Sequence, residues 1–263
     1  NDPENAKASR GGGTFALEDR PLEDCPSEAR RGKVAEKASK GLLVTAFMDM
    51  AIAFDLVWQD SFLRRMLFLS FLNQTAMFGT IGINSSYALS IVGVSQAVAS
   101  LGGVVQPAAV VCGAGTGACL LKQLGPYYSS WVGMVVVSGG YFATGLCSPF
   151  RESSQFLFWG GWGVITGFGF GMVTPAITSI VSLRVDTALH GKLFAAKSFV
   201  DSIGVATGTY VWSNFLFKSD ETIGWYGGLS FFTAAAVEVV FLVGSIALYR
   251  THILPTVQQS KTW

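Results

Sequence analysis

Lys197, Asp201 and Glu238 call for a chemical explanation first, because each falls inside a long apolar stretch. A charged side chain in hydrocarbon is costly, so those that occur there are paired, face an interior, or handle ions and substrates. Lys197 and Asp201 are four residues apart, which puts them on one helix face and within reach of each other. Lys197 is shallow enough for its ammonium to snorkel to the interface along its aliphatic stem. Asp201 lies about three turns in. Glu238 is near the middle of the last apolar stretch. Asp201 and Glu238 are read as candidates for ion, proton or solute handling. The alternative for each is a structural hydrogen bond or an interhelical salt bridge.

Neutral polar groups accompany them. Asn73, Gln74 and Thr75 are consecutive, Gln96 and Gln106 follow, and Asn214, Tyr141 and Tyr210 lie in later stretches. Any one could be a helix–helix hydrogen bond; together they describe a bundle with a partly polar interior. An enzyme is not expected: the chain has no Gly-rich nucleotide loop, no catalytic triad and no Cys-x-x-Cys, and His190 and His252 are far apart. No metal, cofactor or nucleic acid is expected either. An ATP-driven pump is excluded for this chain alone, since no P-loop motif occurs.

The composition defines the elements that must carry these groups. Charged residues make up 13% of the chain and hydrophobic ones 50%, and the mean hydropathy is +0.44. A soluble domain usually carries about 25% charged residues. Ten of the 18 Lys and Arg and 11 of the 17 acids lie in residues 1–65, leaving eight basic and six acidic side chains for the rest. A large soluble α/β core would need strands punctuated by polar turns, whereas this chain has long apolar runs. The bilayer is therefore its expected surrounding.

Residues 1–40 mix charges with Gly11–Gly13, Pro3, Pro21 and Pro26, and read as a flexible solvated segment. The stretch 41–60 is helical in propensity but contains Asp49, Asp55 and Asp60; an interfacial helix is the preferred reading and a seventh span the alternative. Residues 1–60 are thus expected to form a cytosolic linker. A six-span domain over 61–250 and a cytosolic tail over 251–263 follow. The apolar segments are about 64–86, 94–121, 127–147, 155–183, 193–217 and 225–249. Each provides the roughly 20 helical residues that cover about 30 Å of hydrocarbon. The fold class is an all-α integral membrane protein, a six-transmembrane-helix bundle.

Cytosolic termini put the N-terminal charges, Lys122, Arg184, Lys192, Arg250 and Lys261 inside, and only Arg151 and Lys218 outside. The host is a plasma or organellar membrane. Asn84-Ser85-Ser86 matches the glycosylation pattern and falls outside in this topology.

Small residues recur at helical spacing: Gly113 and Gly117; Gly163, Gly167 and Gly171; Gly204 and Gly208. Such faces let helix backbones approach closely where no hydrophobic force joins them. They serve static packing or, alternatively, sliding contacts between helices that rearrange. Pro107 and Pro175 each remove a helix hydrogen bond and could kink their helices as gates.

The region 156–204, above all Ser182–Ala196 (SLRVDTALHGKLFAA), resembles the tenth span, loop and eleventh span of major facilitator transporters. The branch containing the proton-coupled folate transporter is the most similar in flavour. Lys122-Gln-Leu-Gly-Pro126 is similar to that family's short loop between the eighth and ninth spans, although its arginine-rich form is missing. The resemblance covers about 60–250 and implies the C-terminal half of a twelve-span transporter working by alternating access. The complementary N-terminal six-span half would be an upstream segment, a cleaved chain or a separate polypeptide. The resemblance further implies that the first and fourth spans line the cavity, which makes Asn73, Gln74, Asn84, Trp162, Thr166 and Thr174 the candidates facing solute. It implies a supporting role for the third and sixth spans, which weakens the case for Glu238. The expected function is secondary transport of a small solute, with protons as a candidate coupling ion. A non-transporting scaffold subunit and a membrane sensor or receptor are the alternatives.

Overall fold

The computed structural model describes residues 48, 51–52, 54–55, 57–217 and 224–253. Contacts group Phe47–Trp263 into one unit. The expectations for residues 1–47 and 254–263 lie outside the described residues. The described positions from 48 to 59 are helical, and the Phe54 ring meets that of Phe199 edge-on at 5.6 Å.

Among the described residues the regular structure is entirely helical. Helix α1 is Ser61–Tyr87, α2 Gln96–Ser100, α3 Gly102–Gly145, α4 Ser154–Leu157, α5 Gly167–Ser182, α6 His190–Val211 and α7 Leu229–Leu248. Wider π-helical turns extend α1 (Ala88–Val92), α6 (Trp212–Leu216) and α7 (Tyr249–Ile253), and another joins α4 to α5 (Phe158–Thr166). Four continuous helical stretches are long and apolar enough to cross a membrane: Ser61–Val92, Gln96–Gly145, Arg151–Ser182 and Trp225–Ile253.

Asp60 starts α1. Its carboxylate accepts from the Phe62 and Leu63 amides at 2.8 and 3.4 Å, satisfying donors that the helix leaves orphaned. Helix α3, 44 residues long, is broken once, at Gly125 (φ 80°, ψ 169°). The next residue is Pro126, whose ring disfavours the helical region for the residue before it. The φ and ψ of Gly125 fall where essentially only glycine goes. Pro107 and Pro175, by contrast, sit inside helices whose backbone stays helical. Among the described residues of α3, the departure from helical backbone is at the Gly125-Pro126 pair and not at Pro107.

The glycines act as the sequence suggests, with a division of faces added. A Cβ on Gly171 would lie 2.1 Å from the Val110 carbonyl oxygen, and one on Gly167 would lie 2.8 Å from that of Gln106. A Cβ on Gly163 would lie 3.1 Å from Val105, so all three face the first half of α3. Gly113 and Gly117 return the contact against Phe168 and Met172. Gly161 and Gly169 face the opposite way, onto Gly140, Thr144, Gly133 and Val137 in the second half of α3. The α4–α5 rod is thus clasped between the two halves of α3. Gly204 and Gly208 press α6 onto α1 at Phe71, Gln74 and Thr75. Leu69 meets Gly244 where α1 crosses α7.

Trp212 ties three elements together. Its ring covers Gly79 of α1, and its indole N–H donates to the Ser230 carbonyl of α7 at 3.1 Å. At the opposite end of the bundle the Arg184 guanidinium lies 4.7 Å from the centroid of Phe62, and its Nη2 donates to the His252 carbonyl at 3.4 Å. His190 Nε2 lies 2.9 Å from the Val185 carbonyl and 3.1 Å from that of Ser182, closing the turn into α6.

Candidate functional site

The interior of the bundle holds an aromatic and polar cluster. Tyr87 packs on Phe231 with ring centroids 4.6 Å apart and donates to the Thr144 carbonyl at 2.9 Å. Tyr141, fully buried on α3, has Trp162 at 6.1 Å, Phe170 at 5.9 Å and Phe231 at 6.3 Å. Its hydroxyl is 3.1 Å from Thr80 Oγ1 of α1. Thr80 Oγ1 also reaches the carbonyls of Met77 and Ala76 at 2.8 and 2.9 Å. A hydroxyl has one proton, so when Thr80 spends it on its own helix, Tyr141 is the donor between the two.

Glu238 belongs to this cluster. Its side chain is 0% exposed, and neither carboxyl oxygen has a hydrogen-bond partner. Tyr141 is within electrostatic reach of it. The register follows from the neighbours on α7: Ala235 accepts from Ser138 at 3.2 Å, and Ser245 touches Met134. On the α1 side, Leu69 meets Gly244 and Tyr87 meets Phe231. Glu238 therefore lies level with the stretch 73–80 of α1. Asn73, 2% exposed on that stretch, also has a buried carbonyl oxygen without a partner.

The second charged group is resolved differently. Lys197 Nζ donates to Asp201 Oδ2, and Ser70 of α1 donates to Asp201 Oδ1 at 2.9 Å. Both carboxylate oxygens are thus occupied, and the two side chains keep 11% and 19% of their exposure. The four-residue spacing produces the expected pair; Ser70 is an addition from another helix that no local pattern signals.

The other candidates separate. Trp162 and Thr166 are fully buried; the Trp162 indole N–H has no partner, and Thr166 donates to the Gly161 carbonyl at 2.8 Å across the wide turn. Gln74 and Asn84 are half-buried, the first with its stem against Gly204 and the second beside Gly102. Thr174 is exposed and donates to the Phe170 carbonyl at 3.1 Å. Tyr210 is also exposed, at 62%. Asn73, Trp162, Thr166 and Glu238 thus share the interior, whereas Thr174 and Tyr210 face outward from it.

A groove of about 590 Å³ lies elsewhere. It runs along the outside of α3 and α7 past Ser138, Phe142, Phe232 and Val239, and Glu238 is not part of its lining. Its uncharged walls suit hydrocarbon better than a polar solute.

No family model, curated protein or solved structure matches this chain.

Proposed function

We propose that the chain is one six-span half of a secondary transporter that moves a small solute by alternating access. The observation that carries this reading is the buried polar cluster around Glu238, Asn73, Tyr141 and Trp162 inside a bundle of apolar helices. Ionisable and polar groups are expensive in such a place and mark solute or ion paths. The Gly-lined contacts support it further, because backbones meeting without intervening side chains can shift with little repacking.

The six-span count rests on two features beyond the four apolar stretches. Gln96–Gly145 is 50 residues long, which at about 1.5 Å per residue is more than twice the hydrocarbon thickness. The Gly125 break divides it into two crossings. His190–Leu216 is the remaining span; its Lys192, Lys197 and Asp201 lower its apolar character, and the Lys197–Asp201 pair offsets their cost. Both termini then lie in the cytosol. The second six-span half completes the cavity. The interior groups are mostly neutral and aromatic, which favours neither a strongly anionic nor a strongly cationic solute.

The test is uptake. Vesicles carrying the intact transporter are screened with a panel of labelled organic solutes under an imposed proton or sodium gradient. Accumulation of one solute against its gradient supports the reading. Uptake equal to that of empty vesicles for every solute and both gradients rejects it.

A further inference from the structure

The two acids inside the bundle differ in a way that bears on coupling. Asp201 has both oxygens engaged, one by Lys197 and one by Ser70. Glu238 has neither engaged and is wholly shut off from solvent. The groups facing it can be named from each packed helix. On α3 this is Tyr141, the one titratable group among the described residues with an electrostatic interaction to Glu238; on α1 the buried side chains at the same level are the un-ionisable Asn73, Ala76 and Thr80. The Lys197–Asp201 pair is on α6, whose glycines press onto α1 rather than α7. No cation among the described residues compensates Glu238. An ionised carboxylate left so is costly in a low-dielectric interior, and only a proton small enough to need no cavity can cancel the charge without moving a helix.

We propose that Glu238 is the group that takes up and releases the coupling proton, in a site formed by α1, α3 and α7 of this chain alone. The inference rests on the transport reading above. The step balances simply. A hydronium ion in the water of one side gives its proton to a carboxylate oxygen, forming one O–H bond and leaving water. On the other side the same O–H bond breaks and the proton returns to water, with no change of oxidation state. Because Glu238 is fully enclosed in this arrangement, exchange requires another arrangement in which α1, α3 and α7 admit water. Proton exchange is thereby tied to the rearrangement of the bundle. Asp201, whose charge Lys197 already answers, stays a structural partner. The resemblance to major facilitator transporters assigns the sixth span a supporting role; the inward-facing Glu238 gives it a part in coupling instead.

The experiment is infrared difference spectroscopy of the intact particle in lipid nanodiscs, titrated from acid to alkaline pH in water and in heavy water. A carboxylic-acid carbonyl band should appear on the acid side, shift in heavy water, and vanish in Glu238→Gln while persisting in Asp201→Asn. Retention of the band in Glu238→Gln overturns the proposal. So does a Glu238 band that neither titrates nor exchanges with heavy water, since it identifies a permanently protonated structural acid. Neither result touches the solute-uptake test, so this inference can fail while the transport reading stands. Conversely, failure of uptake in every condition, with a titrating and exchanging Glu238 band, rejects transport and leaves only the proton site.

Discussion

Adding one methyl group at each of three glycines should separate them sharply. A Cβ at Gly171 would stand 2.1 Å from the Val110 carbonyl oxygen and 2.6 Å from the Ala114 amide nitrogen, both backbone atoms. Comfortable contact begins near about 3.5 Å, so Gly171→Ala must push α5 and the first half of α3 apart by more than an ångström. At Gly163 the neighbour is the Val105 side chain at 3.1 Å, which needs to yield only slightly. At Gly115 nothing lies within 4 Å. Overpacking costs about 1–3 kcal/mol, and alanine regains roughly 1 kcal/mol of helix propensity. Gly171→Ala should therefore lose up to about 2 kcal/mol net. Gly163→Ala should be close to neutral and Gly115→Ala neutral or slightly stabilised. Thermal unfolding in detergent of the three variants beside the parent reads the order. Equal midpoints for Gly171→Ala and Gly115→Ala would refute the backbone contact between α3 and α5.

Other substitutions probe separate joints. Asp60→Ala removes the cap of α1 and should cost about 1 kcal/mol, with faster amide exchange at Phe62 and Leu63 as the local signature. Gly125→Ala meets no neighbour, so its loss of about 1–3 kcal/mol comes from the backbone conformation alone; a stability equal to the parent's contradicts the break. Lys197→Met strands Asp201 beside Ser70, whereas Lys197→Met with Asp201→Asn removes both charges. The single variant should be less stable than the double, measured as a cycle of unfolding midpoints. Single cysteines replacing Lys122 and Arg184 should react with an impermeant reagent from one side of sealed vesicles, and one replacing Ser153 from the other; labelling of all three from one side removes the six-span topology.

Much of the architecture is legible in the residues, but not all of it by the same signal. Apolar length alone marks the membrane stretches. The spacing of Gly163, Gly167 and Gly171 marks a contact face, and the structure adds that Gly161 and Gly169 serve a second partner on the other side. The Lys197–Asp201 pair follows from helical spacing. Which way Glu238 points does not follow. In a chain apolar on every side, the 3.6-residue period carries little contrast, so the inward face of α7 is set by packing against α1 and α3. Ser70 and Thr80 escape notice for the same reason: small hydroxyl residues bond their own helix as readily as a distant partner. The break in α3 falls at Gly125-Pro126 and not at Pro107 because only there does a residue free to take positive φ precede the proline that disfavours its helical conformation.

Mass tests whether this chain is one half of a two-half transporter. The native particle is extracted in mild detergent and weighed intact, and each polypeptide in it is weighed separately. A second six-span unit is expected in one-to-one amount, as its own polypeptide or as further chain joined to this one. A particle made of this chain alone, or a large assembly with no complementary six-span unit, would contradict this expectation and point to a structural subunit.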